Sequence, residues 1–232
     1  MAGWAGLAGS AGIGPSPRRW VGVTGPALGL LAVFAVAAAG DWVAVGTDRR
    51  RLEHLCKPAA LAALGGVALT LDPADSAVRA WFAAALLASL AGDVLLMPPS
   101  DRFVAGLAAF LVAHVAYVGG LLAAGVSGGR LLLGVVAVGV VVGAIGRPLL
   151  RGVRRSAPEM TVPVGAYMVV ISAMVVCAVG TGDATAIAGA ALFYASDALI
   201  GLTRFVRPAP WAPVAIMVTY HVGQALLVLS LP

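Results

Sequence analysis

The chain has 232 residues, of which 61% are apolar and 11% charged, with 30 glycines and a mean hydropathy of +0.99. Globular domains carry about 25% charged residues, so this chain lacks the polar surface to cover an apolar core in water, and a soluble fold is excluded. Its net charge of +5 comes from arginines spread beside apolar runs, which excludes a nucleic-acid footprint and fits an orientation signal and attraction to membrane lipids.

Unbroken runs of Ala, Leu, Val and Gly satisfy their backbone as helices rather than as alternating barrel strands. Eight spans of ~20 residues use ~160 positions. The sequence therefore predicts an all-α integral membrane protein, an eight-transmembrane-helix bundle forming a single polytopic domain over 1–232, with a flexible amino-terminal segment over 1–20.

The first predicted span, Val21 to Val45, follows Ser16-Pro17-Arg18-Arg19. A rival reading as a cleaved twin-arginine-like signal is disfavoured by the length of the apolar run and the lack of a soluble domain after it. The second span, His54 to Leu71, opens on Cys56, Lys57 and Pro58. The third, Val78 to Met97, carries Asp93 about one turn inside its end, with Ser89 one turn behind on the same face. Phe103, Gly106, Phe110, His114 and Tyr117 form one stripe along the fourth, Phe103 to Leu122. The fifth, Leu131 to Leu150, runs into Arg147, Arg151, Arg154 and Arg155, and the sixth, Val162 to Val179, holds Tyr167 and Cys177. In the seventh, Ala184 to Phe205, the residues Tyr194, Asp197, Gly201 and Arg204 share a face, with Ser196 beside them; in the eighth, Pro213 to Leu231, Tyr220 and Gln224 stand one turn apart.

Lysine and arginine counts orient the bundle. The odd-numbered loops carry eleven and the opposite set, termini included, four, so the odd loops are expected in the cytoplasm and both termini outside. Lys57, Asp93, Tyr167, Asp197 and Tyr220 then fall in the cytoplasmic halves of spans running both ways, as expected for one polar cavity. The two cysteines read as small buried residues, and three histidines without close ligand spacing give no metal or cofactor signal.

Ala91-Gly92-Asp93-Val94-Leu95-Leu96 reads like Ala195-Ser196-Asp197-Ala198-Leu199-Ile200, an offset of 104 residues at which Tyr117 also aligns with His221. Four spans per half would give a parallel 4+4 repeat with two aspartates facing one another. An ionisable group inside a span costs several kcal/mol unless paired or wet, so it is a functional candidate. Eight of the ten acids fall in or near loops, which singles out Asp93 and Asp197.

Gly92-Asp93-Val94-Leu95-Leu96-Met97, the stripe from Phe103 to Tyr117, Ser196-Asp197, Tyr220 with Gln224, and Lys57-Pro58 together resemble the YhhN/TMEM86 family of eight-span membrane proteins, from about Leu52 to the carboxyl end. The resemblance implies a lysoplasmalogenase, which hydrolyses the vinyl ether of a lysophospholipid substrate to a fatty aldehyde and a glycerophospho-ethanolamine or -choline. It implies Asp93 and Asp197 as the catalytic pair. By their chemistry Lys57 and nearby arginines are expected to hold the phosphate, and His114, Tyr117, Tyr167, Ser196, Tyr220 and Gln224 to bind the rest of the substrate or water. The chemistry suits two carboxyls: one protonates the alkene carbon, and the other stabilises the resulting oxocarbenium ion or activates water. Such an acid must hold its proton near neutral pH, which a low-dielectric site beside a second carboxylate favours. The competing expectation from the same features is a proton-coupled carrier of a small amphiphile.

Overall fold

The structure, a computed structural model, describes residues 25–71, 75–97, 99 and 102–231. The expected flexible segment and the twin-arginine motif lie outside these residues. The chain folds as α1 (Gly25–Gly46), α2 (Arg50–Thr70), α3 (Ser76–Leu96), α4 (Phe103–Ala123), α5 (Gly128–Val141), α6 (Arg147–Ser156), α7 (Thr161–Thr181), α8 (Ala184–Phe205) and α9 (Ala212–Leu229). Eight segments, counting Gly128–Ser156 as one, are long and apolar enough to cross a membrane. Large apolar side chains such as Val36, Leu69, Leu87, Val140 and Val169 point outward, as they do when the surrounding solvent is itself apolar.

Sequence punctuation sets the ends. Asp75 caps α3 by accepting from the Ala77 amide at 2.7 Å, and Asp183 caps α8 from Thr185 and Ala186 at 2.8 and 2.9 Å. Met97 turns extended because it precedes a proline, and Gly182 closes α7 with a left-handed φ of 73°. The fifth span is not the single regular helix expected from Leu131 to Leu150. A π-helical turn, Val142–Gly146, separates α5 from α6. Pro148 at the start of α6 has no amide hydrogen and crowds the carbonyl four residues back, which the wider turn accommodates. In the second span Arg50 and Arg51 belong to the helix rather than to the preceding loop.

Both halves pack by the same pattern. α1 pairs with α2, α3 with α4, α5 with α7, and α8 with α9; α2 also meets α3 as α7 meets α8, and α4 meets α7 as α9 meets α2. Glycines bring the pairs together. A Cβ on Gly189 would lie 2.8 Å from the Leu227 amide nitrogen, and one on Gly223 2.9 Å from the Gly189 oxygen, so α8 and α9 touch backbone to backbone. The core between the halves centres on Phe82, Phe110, Tyr117, Phe193 and Tyr220.

Candidate active site

Asp93 comes from α3 and Asp197 from α8, and both are turned inward. Gly92 sits beside Asp93 because a Cβ there would lie 2.7 Å from the Phe110 ring, so its absence lets α4 press against α3 at the carboxylate. Tyr220 of α9 donates its hydroxyl to Asp93 Oδ2 at 2.8 Å. Tyr167 of α7 donates to Asp197 Oδ2. Each carboxylate thus takes a phenol from a neighbouring helix, and the two carboxylates lie within electrostatic reach of one another.

His114 completes the Asp197 side. Its Nδ1 lies 2.6 Å from the Phe110 carbonyl oxygen, which can only accept, so Nδ1 carries the ring hydrogen. Nε2 faces Asp197 Oδ2 at 3.6 Å and has no hydrogen-bond partner among the described residues. A neutral ring presents a lone pair toward the Asp197 carboxyl there. The Phe193 ring packs at 4.6 Å from His114 and 5.3 Å from Tyr220, tying the partners of both aspartates together.

A largely apolar groove runs between α4, the π-helical turn, α6, α7 and α8, with Asp197 in its wall. Leu107, Phe110, Ile145, Leu149, Tyr167 and Ile171 line it. Asp197, Tyr167 and the π-helical turn are therefore brought to one largely apolar groove.

The other expected residues are placed differently. Tyr117 donates to Gln224 Oε1, and Gln224 Nε2 donates to Ser89 Oγ at 2.9 Å. These three are fully buried and cross-link α3, α4 and α9 one turn deeper than the Asp93–Tyr220 bond. Ser196 donates to the Ile216 carbonyl at 3.2 Å, so it joins α8 to α9 rather than lining the groove. Lys57 is buried on α2 with its Nζ 3.3 Å from Glu53 Oε1, within electrostatic reach of Asp93 and also outside the groove lining. Cys177 is buried as expected, whereas Cys56 is only partly so.

Two acids are not the whole of the buried set. Asp41 of α1 is fully buried, and neither carboxylate oxygen has a hydrogen-bond partner among the described residues. Grouped in the sequence with the acids in or near loops, it lies instead inside the bundle on α1, within electrostatic reach of Lys57 and Asp93. His221 is also buried and accepts at Nδ1 from Trp42 Nε1 at 3.0 Å. The signal for Asp41 was its position between the apolar runs Val33 to Ala39 and Trp42 to Val45. Phe193 gave no polar signal, only its place one turn before Asp197. Among the described residues no group of three or more His, Cys, Asp or Glu side chains has the arrangement of a metal site.

Fold and site together define a polytopic all-α membrane protein with a buried two-carboxylate centre beside an apolar groove. The chain belongs to the YhhN family, whose model matches residues 52–231. It is 34% identical over 146 residues to a human protein named Lysoplasmalogenase TMEM86B, covering 63% of this chain and 61% of that protein. It is 35% identical over 157 residues to a Mycobacterium bovis protein named Lysoplasmalogenase, covering 64% and 59%. The matched stretch thus spans about three-fifths of the length of these curated relatives. No solved structure matches the chain.

Proposed function

We propose that this protein is a membrane-embedded lysoplasmalogenase-like hydrolase that cleaves the vinyl ether of a single-chain lysophospholipid, with Asp197 as general acid and Asp93 as its ionised partner. The observation that carries this reading is the apolar groove with Asp197 in its wall and Asp93 within electrostatic reach of it. The names of the relatives support the same activity.

In a vinyl ether the carbon that must be protonated is the one on the alkyl-chain side. A lipid lying in the groove with its vinyl ether level with Asp197 brings that carbon to the carboxyl, so Asp197 in its protonated form is the donor. Protonation converts the alkene into an oxocarbenium ion. Asp93, beside the Lys57 charge, stabilises this cation and takes a proton from the water that adds to it. The hemiacetal then collapses: Asp93 returns the proton to the leaving glycerol oxygen, the Asp197 carboxylate removes the hydroxyl proton, and aldehyde and alcohol leave with one water consumed. Tyr167 and Tyr220 hold the carboxyls in place through their hydroxyls. Lys57 balances Asp41, Glu53 and Asp93. The reading includes a cell-membrane location with the site on the cytoplasmic side.

Turnover by purified protein in detergent tests this. Release of fatty aldehyde from a vinyl-ether lysolipid, in the absence of any sealed compartment, is the expected result; a carrier would release none. Asp93→Asn and Asp197→Asn should each lower the rate by about 10²- to 10⁴-fold, the usual contribution of a general acid or base. Full activity in both variants would overturn the assignment.

A further inference from the structure

A second recess lies at the end of the groove, on the α6–α8 side. It is lined by Arg151, Gly152, Arg155, Ser156, Phe205 and Val206. Arg151 and Arg155 are one helical turn apart and share a face of α6; both are exposed, and among the described residues no ion pair engages either. The recess has a fixed floor. A Cβ on Gly152 would lie 2.5 Å from the Phe205 carbonyl oxygen and 2.8 Å from Val206 Cγ2, so α6 rests directly on the end of α8, and its basic face is held at that place.

The recess and the apolar groove are continuous, since Phe205 lines both, and Leu149 of the groove neighbours Pro148 of the recess. From Asp197 to Phe205 is about 12 Å along α8, a distance that an arginine side chain and a three-carbon glycerol backbone together span. An amphiphile entering along this path meets two guanidinium groups at the mouth and then an apolar lining, in whose wall Asp197 stands about 12 Å further in. We propose that Arg151 and Arg155 bind the phosphate of the lipid whose single chain fills the groove. Guanidinium pairs suit this role, because each presents parallel N–H donors to phosphate oxygens. The inference rests on the groove being a lipid slot, and it moves the phosphate from Lys57, which is turned toward Glu53, to the mouth of the groove.

The competing source of phosphate at this place is the headgroup of a bulk anionic two-chain lipid. Equilibrium binding in neutral detergent separates the two without requiring turnover. The probes are a saturated 1-O-alkyl glycerophosphocholine, which has no vinyl ether to cleave, and the 1-O-alkylglycerol of the same chain length. Wild-type protein should bind the phosphate-bearing ether at least tenfold more tightly. R151Q/R155Q should lose most of that preference with alkylglycerol binding unchanged, and R151K/R155K should fall between. Equal binding of the two ethers by wild type overturns the proposal, as does a preference that survives in R151Q/R155Q. So does displacement of the lyso-ether by diacyl phosphatidylglycerol at equimolar concentration, which would make the recess a bulk-lipid site. Aldehyde release from a vinyl-ether lysolipid, measured on the same preparation, reports on the hydrolase reading separately: phosphate-dependent binding without aldehyde sinks that reading and leaves the binding site standing.

Discussion

At the scale of single residues, the buried polar groups divide into those that act and those that hold. Tyr167, His114 and Asp197 meet at the groove, while Tyr117, Gln224 and Ser89 form a closed network away from it. Tyr117→Phe leaves Gln224 Oε1 without its donor, and interhelical hydrogen bonds of this kind contribute about 1 kcal/mol in membranes. Thermal unfolding in detergent should show a lowered Tm, and activity measured well below Tm should stay within about threefold of wild type. Tyr167→Phe should do the reverse, slowing turnover while moving Tm little, because it removes the donor that orients Asp197. The separation between these groups was only partly legible in the sequence. Helical spacing put Asp93, Asp197, His114 and the tyrosines on inward faces, but a face does not say which neighbour a side chain chooses. Asp41 escaped for a simpler reason: four residues from the predicted end of its span, it read as an acid near a loop, whereas in the bundle it is fully buried on α1.

At the scale of helices, the site depends on two close crossings. α8 and α9 meet at Gly189 and Gly223, one turn from Phe193 and Tyr220 respectively, so the gap between these helices sets the distance between the partners of the two aspartates. Gly223→Ala places a methyl group against the Gly189 oxygen and the Phe193 amide nitrogen, each 2.9 Å away. We expect a loss of at least tenfold in activity together with a lower Tm, and the same from Gly189→Ala; a Gly65→Ala variant, whose Cβ would meet nothing within 4 Å, serves as control and should match wild type in both measurements. The helices themselves were legible, since each apolar run of the sequence became a span. The interruption at Val142–Gly146 was not, because an apolar run carries no record of hydrogen-bond register. Pro148 held the clue, and the π-helical turn it favours supplies Ile145 to the groove.

At the scale of the molecule, the two matching halves bring the carboxylates toward the same end of the bundle at different depths. From the helix ends expected to face the cytoplasm, Asp93 lies about 5 Å and Asp197 about 12 Å along their axes. The orientation is open to direct measurement with single cysteines in a background lacking Cys56 and Cys177. Ser156→Cys should react with an impermeant maleimide only after cells are opened, and Ala124→Cys should react in intact cells; the opposite pattern would invert the topology. The central claim is the chemistry at the two aspartates, and mass spectrometry of the products tests it most directly. Purified protein incubated in detergent with a panel of lysolipids should release fatty aldehyde and a glycerophospho-alcohol from the vinyl-ether member, and Asp93→Asn and Asp197→Asn, folded as judged by unchanged Tm, should release neither above background. No aldehyde from the wild-type protein, or full turnover by both variants, would contradict the account.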